Sequence, residues 1–409
     1  MIYYNYEERI VAYATILQYV YKRVYKRKDV FIMRNEKNMK SYDIEFFNMC
    51  PRNCKFCILQ NMKDNVITLD EYHDKRSKLL SVLKDDIEYT KDTNPDITHI
   101  NIHFSGGDFT NIKDMVQYIQ FLKDINEFCA ELDLKLETYL TTNILCIDKD
   151  GRPWEYENMD ELRAISNVFT MTTHVNTSYS PEGRFNTAEE VIIWITSLLS
   201  CNCLRSLYKK EPINVIIPLT KAVVKYNHNN KVRGMLKRLY NKKSNDMIDT
   251  IKPMIKSIID KGIYSFLREQ NIPYTFTPFM SHVLSEKSTE DNTIVLYNKE
   301  YSDNEKYYKS DTYYREMQDF LLAHAVVYSI GTEQLFSDNQ FNSCMYNGNI
   351  KCYTLDGEVV KCLIDQNCTK ELGHAPLCCN LIADTDHLTR KIAQIENNIR
   401  EEIAKNEKG

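Results

Sequence analysis

Three cysteines of this chain are spaced so that they can hold a metal cluster. Cys50, Cys54 and Cys57 follow the spacing C-x3-C-x2-C. Three thiolates this close together, in a loop after a strand, can hold three corners of a cubane iron–sulfur cluster. No fourth cysteine and no histidine at zinc-finger spacing follows nearby, so one iron would stay open, as in sites where a metal does chemistry. The alternative is a structural zinc site with a distant fourth ligand, although zinc sites usually pair cysteines as C-x2-C twice.

This segment, with the aromatic residue Phe56 before its last cysteine, resembles the signature of the radical S-adenosylmethionine superfamily. The resemblance implies a partial (β/α)6 barrel and a [4Fe-4S] cluster on Cys50, Cys54 and Cys57. It also implies that the open iron binds the amino and carboxylate groups of S-adenosylmethionine. Reductive cleavage of this cofactor yields a 5′-deoxyadenosyl radical, which abstracts hydrogen from the substrate. The protein's part is to position and shield that chemistry.

Further positions match motifs that bind the cofactor in this family. Ser105, Gly106, Gly107 and Asp108 end the next predicted strand and resemble its Gly-Gly-Glu motif, with Asp in place of Glu. In the family the glycines let the backbone approach the methionyl amino group, and the acid accepts a hydrogen bond from it. Asn143, in Thr141-Thr142-Asn143, resembles a Thr-Asn pair near the cofactor. Arg184 lies where relatives often have an Arg that binds the carboxylate.

A second group of six cysteines lies between residues 344 and 379. Cys344, Gly357 and Cys362 follow the pattern C-x12-G-x4-C, which resembles the auxiliary-cluster extension called SPASM and its shorter form, twitch. The resemblance implies one auxiliary [4Fe-4S] cluster, and a structural zinc ribbon is the alternative. We expect four ligands from this group: Cys344, Cys362, Cys368 and either Cys378 or Cys379.

A hairpin is predicted inside this second group. Asp356-Gly357 is a strong two-residue turn signal between strands at 352–355 and 358–362. If Leu355 pairs with Glu358, Cys352 faces Lys361 and points away from the side that carries Cys362. Cys352 is therefore not expected to share a cluster with Cys362 unless a bulge intervenes.

Composition limits the class of protein and its location. The chain has 409 residues, 43% of them hydrophobic and 27% charged, which is typical of a globular protein. A net charge of −5 and a pI near 6.1 give no basic field for nucleic acid. No apolar run approaches the roughly 20 residues of a membrane span, and residues 7–9 are charged where a secretory signal needs an apolar core. We therefore expect a cytoplasmic protein with no membrane or nucleic-acid partner, in which thirteen cysteines serve metal or redox chemistry rather than disulfides.

Strand and helix patterns alternate along most of the chain, which favours parallel β/α units. Strands are predicted at 42–47, 98–104, 134–142, 167–174, 213–219 and 274–279. Helices are predicted at 6–28, 114–132, 189–199, 313–329 and 388–405, and the polar stretch 285–312 is interpreted as a linker. The fold class is thus α/β, a partial (β/α)6 TIM-type barrel with a small C-terminal iron–sulfur extension. We divide it into an N-terminal helical segment (1–40), the barrel (41–285), a linker and helix (286–334), the auxiliary cluster domain (335–384) and a C-terminal helix (385–409).

The sequence indicates a type of reaction but selects no catalytic side chain. Relatives with such extensions most often modify ribosomally made peptides by crosslinking, epimerisation or oxidation. A precursor peptide is therefore the favoured substrate, a small molecule such as an aminoglycoside or nucleoside is the alternative, and a non-catalytic zinc protein is the remote one. Reduced flavodoxin or ferredoxin is the electron donor that the resemblance implies. His103 and His174, beside predicted strand ends, are expected to be pocket walls or satisfied core groups rather than catalytic bases.

Overall fold

The structure is a computed structural model of the chain. It describes residues 38–47, 54, 69–108, 112–142, 172–178, 187–207, 212–226, 229–241, 246–278, 299–308, 310–328, 350–360 and 382–406. The predicted helix at 6–28 lies outside these ranges.

Within the described residues the strands form one sheet. They are β1 Met39–Phe47, β2 His99–Gly106, β3 Lys135–Thr142, β4 Thr172–Ser178, β5 Asn214–Leu219, β6 Tyr274–Pro278, β7 Ile350–Tyr353 and β8 Val359–Val360. The order across the sheet is β6-β5-β4-β3-β2-β1-β7-β8. Strands β1 to β6 are parallel and pair in chain order, β7 adds in parallel to the outer side of β1, and β8 pairs antiparallel with β7.

Helices connect and cover these strands. They are α1 Leu69–Thr93, α2 Ile112–Glu131, α3 Ala188–Leu207, α4 Lys221–Tyr226, α5 Asn229–Tyr240, α6 Asp246–Lys261, α7 Ile263–Glu269, α8 Lys299–Tyr308, α9 Asp311–Tyr328 and α10 Ile382–Asn406. None of the described helices is long and apolar enough to cross a membrane. The predicted α/β class with a parallel sheet is confirmed, whereas closure into a partial barrel stays a prediction.

The sheet has one apolar and one polar face. Strands buried on both faces in parallel sheets usually read as continuous apolar runs. Here apolar and polar residues alternate, so that Ile44, Ile102 and Leu140 lie in the apolar core on one face. The positions between them on β1, β2 and β3 carry Ser41, Asp43, Glu45, Asn101, His103, Ser105, Glu137, Tyr139 and Thr141.

Two apolar cores hold the sheet in place. The first packs β1, β2 and β3 against α1 and α2, with Leu79, Leu83 and Leu122 fully buried. The second surrounds β5 with α3, α5, α6 and α9. The helices thus cover the apolar face and fix the strands whose ends form the site described below.

Two predicted elements differ from the structure. The fourth strand is described at Thr172–Ser178 and runs past the predicted end at residue 174, whereas residues 167–171 lie outside the described residues; its only aliphatic residue is Val175, so hydropathy did not mark the polar residues after it. The interpretation of 285–312 as a linker is wrong for its second half, because α8 occupies Lys299–Tyr308. Tyr308 is buried in the second core and donates a hydrogen bond to Glu300 at 2.7 Å.

The hairpin is confirmed, but its register differs from the prediction. Gly357 donates a hydrogen bond to the carbonyl oxygen of Thr354 at 2.9 Å, and Thr354 pairs with Glu358, so the loop has three residues. Gly357 has a positive φ of 72°, whereas Asp356 does not. A two-residue type I′ turn requires a positive φ at both central residues, so the chain takes the three-residue alternative. Cys352 therefore pairs with Val360, not with Lys361.

Candidate active site at the carboxyl ends of the parallel strands

The first cysteine motif and the glycine motif begin at neighbouring strand ends. Phe47 ends β1, Gly106 ends β2, and these two residues are register partners. The N–H of Gly107 donates a hydrogen bond to the carbonyl oxygen of Phe47, with 2.5 Å between nitrogen and oxygen. Cys50 follows Phe47 by three residues along the chain. The chain segments that follow β1 and β2 therefore begin side by side at the carboxyl edge of the sheet, joined by this hydrogen bond.

On the apolar face of the sheet, aromatic side chains pack around the end of β1. Phe46 lies at a register irregularity between Glu45 and Phe47, and its ring packs edge-on against those of Phe104 and Tyr118. The guanidinium of Arg76 in α1 lies 4.2 Å from the centre of the Phe46 ring. Aromatic pairs in this geometry contribute about 0.5–1.5 kcal/mol each beyond the apolar area they bury. The strand end before the cysteines is therefore packed against α1, α2 and β2.

Asp108 is a buried carboxylate at this edge. It follows Gly107, and its Oδ1 accepts a hydrogen bond from the hydroxyl of Thr142, with 2.8 Å between the oxygens. Thr142 ends β3, the strand next to β2. The side chain of Asp108 is thus held between the ends of β2 and β3 instead of pointing into solvent.

An aspartate–histidine pair lies on the polar face below the glycine motif. Asp43 and His103 are register partners on β1 and β2, and Asp43 Oδ1 lies 3.3 Å from His103 Nδ1. The other ring nitrogen, Nε2, lies 3.2 Å from the hydroxyl oxygen of Thr141 on β3. Only 7% of the Asp43 side chain is exposed, against 40% for His103. The carboxylate is thus enclosed, and the imidazole that it holds is accessible.

The surroundings raise the pKa of His103 above its ordinary value. Burial lowers the pKa of this imidazole, but the negative charge of Asp43 and the hydrogen bond to it raise the pKa by more. Because 40% of the side chain is exposed to solvent, burial offsets the effect of Asp43 only in part.

The structure describes some of the predicted site residues. Cys54 is partly buried, Gly107 is half-buried, and Asp108 is buried. The backbone of Ser105 and Gly106 ends β2. Outside the described residues lie Cys50, Phe56, Cys57, Asn143, Arg184, Cys344, Cys362, Cys368, Cys378 and Cys379. Within the part of the chain that is described, no three His, Cys, Asp or Glu side chains are grouped closely enough to hold a metal ion.

The hairpin of the second cysteine group joins the main sheet. Strand β7 pairs with β1, and the register partner of Cys352 is Asp43. The hairpin is tied to α1 by an ion pair between Lys75 and Asp356, at 2.7 Å, and by one between Lys351 and Asp86. The register argument that excluded Cys352 as a companion of Cys362 is wrong, since Cys352 pairs with Val360, two residues before Cys362. The ligand set itself stays a prediction.

Sequence reasoning did not single out the Asp43–His103 pair. The signal was the strict alternation on three consecutive parallel strands, which left Asp43, His103 and Tyr139 in one row across the sheet. A parallel sheet covered by helices on both faces would not tolerate such a row. The alternation thus marks this face of β1, β2 and β3 as polar.

Comparisons with known proteins give little support of their own. No family model and no curated protein matches the chain. Among solved structures it is similar to Streptococcus suis SuiB bound to S-adenosylmethionine, with a TM-score of 0.37 and 12% identity. The similarity covers 79% of this chain and 60% of the length of SuiB. Values this low establish neither a shared family nor a shared activity.

Proposed function

We propose that this chain is a radical S-adenosylmethionine enzyme that modifies a ribosomally made peptide. One observation carries the proposal. The chain segments that lead into the C-x3-C-x2-C motif and out of the glycine motif are hydrogen-bonded to each other at the ends of adjacent parallel strands. In open parallel sheets, ligands bind outside the carboxyl ends of the strands. Thiolates and a cofactor-binding backbone would meet in one site there.

The donor atoms fit an iron–sulfur cluster with an open iron. Cys50, Cys54 and Cys57 would supply three thiolates, and Cys54 is partly buried, which suits a ligand that shields a cluster from water. When bound, the cluster supplies the electron that cleaves S-adenosylmethionine and so provides the radical for hydrogen abstraction from the substrate. Phe56, within the same motif, would pack beside the cofactor.

The glycine motif would bind the methionyl end of S-adenosylmethionine. Without side chains, Gly106 and Gly107 allow a ligand to approach the backbone closely. Asp108, held by Thr142, would accept a hydrogen bond from the amino group. Ser105, Asn143 and Arg184 would complete the cofactor contacts, with the guanidinium of Arg184 binding the carboxylate.

The second cysteine group would hold one auxiliary [4Fe-4S] cluster. Its ligands would be Cys344, Cys362, Cys368 and either Cys378 or Cys379. Cys362 follows Val360 by two residues, so chain length keeps it within about 7 Å of the end of β8. Because β7 pairs with β1, such a cluster would be attached to the same sheet as the first one.

Metal and sulfide analysis tests the two clusters. Anaerobically reconstituted protein should contain about eight iron and eight sulfide per chain, and Cys362→Ala should lose about half of both. Cys129→Ala, a change of the same size at a cysteine buried in the apolar core, should keep the full content. Zinc without sulfide would instead indicate the structural zinc protein.

A peptide screen tests the substrate. Short peptides encoded beside the gene for this chain are incubated with enzyme, S-adenosylmethionine and dithionite, and their masses are measured. A mass change that depends on S-adenosylmethionine supports the proposal. Cofactor cleavage that no peptide alters, but that a small amine or nucleoside stimulates, would point to the small-molecule alternative.

A further inference from the structure

We propose that His103 transfers a proton to or from the bound substrate and that Asp43 is its positioning residue. This inference rests on the proposed function and assigns a role that the cysteine and glycine motifs leave open. His103 lies on the polar face of the sheet, two residues before Ser105, the first residue of the glycine motif, on the same strand.

The hydrogen bonds fix which nitrogen of His103 carries a proton. An ionised carboxylate only accepts hydrogen bonds, so Nδ1 of His103 donates to Asp43 at 3.3 Å. In the neutral imidazole, Nε2 is then the acceptor, and it lies 3.2 Å from the hydroxyl oxygen of Thr141. The basic lone pair is therefore directed toward the carboxyl edge of the sheet, where the glycine motif begins.

The pair combines an enclosed carboxylate with an accessible base. Asp43 is almost completely buried, whereas two fifths of the His103 side chain is accessible. A histidine that serves only packing gains nothing from a buried charge beside it, since burying that charge is costly. A base that becomes positively charged during the reaction is stabilised by such a charge.

Other ionisable groups occupy the strands around His103. They are Asp43 and Glu45 on β1, Glu137 and Tyr139 on β3, Cys352 on β7 beside Asp43, and the register position of His174 on β4 beside Tyr139. The carboxylates among them favour the protonated imidazole. Of the described residues in this set, His103 is the group with an ordinary pKa near neutrality and a paired carboxylate.

The proposed step is a simple proton transfer. The Thr141 hydroxyl turns away from Nε2 of His103, and an acidic X–H group of the substrate, such as a thiol, hydroxyl or ammonium, then gives its proton to Nε2. The electron pair of the X–H bond stays on X, and the new imidazolium is held by Asp43. Release of the proton to water or to another substrate group restores the neutral imidazole.

Two variants and a control separate this role from a structural one. On reconstituted full-length protein, His103→Gln and Asp43→Asn are compared with His99→Gln, a change at the other end of β2. Without peptide, 5′-deoxyadenosine release by His99→Gln should stay within about twofold of that by the unaltered protein. Its absence from the unaltered protein itself would contradict the proposed function rather than this inference.

The peptide that changes mass in the screen above is the probe for proton transfer. His103→Gln should lower product formation by about a hundredfold or more, while His99→Gln has little effect. In Asp43→Asn the acidic limb of the pH profile, where His103 takes up a proton, should move to lower pH, since the charge that favours imidazolium is lost. Product formation by His103→Gln at the rate of the control would overturn the proposal.

Chemical modification gives a second readout that needs no substrate. Diethyl pyrocarbonate reacts with neutral imidazole, and mass spectrometry of peptides follows each histidine separately. The midpoint of the pH dependence at His103 should fall in Asp43→Asn. A midpoint that Asp43→Asn leaves unchanged, or a His103 that does not react, would also overturn the proposal.

Discussion

Thr142 donates a hydrogen bond to Asp108 across the ends of β3 and β2, with 2.8 Å between the two side-chain oxygens. Both side chains are buried. Asp108 replaces the longer Glu of the motif that it resembles, so the position of its carboxylate depends on the strand that holds it. The neighbouring strand thus becomes part of the proposed cofactor site.

Removal of the Thr142 hydroxyl should weaken both the fold and cofactor binding. Thr142→Val keeps the shape but takes a donor from a buried carboxylate, which costs about 1.5–3 kcal/mol. Urea unfolding and equilibrium dialysis with S-adenosylmethionine measure the two effects. Thr196→Val, which removes a hydroxyl bonded to carbonyl groups of its own helix, should leave cofactor affinity unchanged. Equal affinity in both variants would contradict the role given to Thr142.

The sequence predicted the parts of this site that depend on local pattern. The first strand, the turn at Gly106 and Gly107, and the hairpin around Gly357 have strong hydropathy or glycine signals. The partner of Asp108 was not predictable, because Thr142 lies 34 residues away and meets it only through the pairing of β2 with β3. The Asp43–His103 pair was missed for the same reason.

Elements without an apolar pattern were also missed. Helix α1 has a charged sequence in which Leu79, Leu83 and Ile87 provide the buried positions, and no helix was predicted there. Helix α8 is polar, but its Glu300 is buried because Tyr308 hydrogen-bonds to it. In both cases tertiary contacts decide the structure, and composition alone does not reveal them.

Gly357 should not tolerate a side chain. Its φ is positive, at 72°, and a Cβ at this position would lie 3.3 Å from the Cα of Leu79 in α1. Gly357→Ala should therefore lower the free energy of unfolding by about 1–2 kcal/mol from backbone strain alone. Gly234→Ala is the matched control, since no atom lies within 4 Å of its added Cβ in α5. That change should stabilise the protein by about 0.5–1 kcal/mol, and the same sign in both variants would refute this account of the hairpin.

His324 should make the fold sensitive to acid. Burial, with a smaller effect from the charge of Arg268, lowers the pKa of this imidazole to about 3. The unfolded chain, with a pKa of about 6.5, then binds one more proton between these two values. Stability should be lost as the pH falls from about 6.5 toward about 3, by up to about 1.4 kcal/mol per pH unit.

The substitution His324→Phe tests whether His324 causes the loss of stability at low pH. His324 Nε2 lies 2.9 Å from the hydroxyl of Tyr274, among the rings of Tyr264 and Phe276. His324→Phe loses that hydrogen bond, which lowers stability at neutral pH, but it should flatten the loss of stability below about pH 6.5. His73→Phe, at an exposed position, should keep the slope of the unaltered protein. The free energy of unfolding is measured with urea at several pH values. If it falls equally steeply below about pH 6.5 in all three proteins, His324 does not cause the acid sensitivity.

The most direct test of the proposed function is 5′-deoxyadenosine release by anaerobically reconstituted protein with S-adenosylmethionine and dithionite. Cys54→Ala should abolish it and remove about four iron per chain, because a cluster ligand is lost. Cys129→Ala, at a buried cysteine in the apolar core of α2, should retain both iron and turnover. Turnover that survives in Cys54→Ala, or unaltered protein that holds zinc and releases no 5′-deoxyadenosine, would contradict a radical S-adenosylmethionine enzyme.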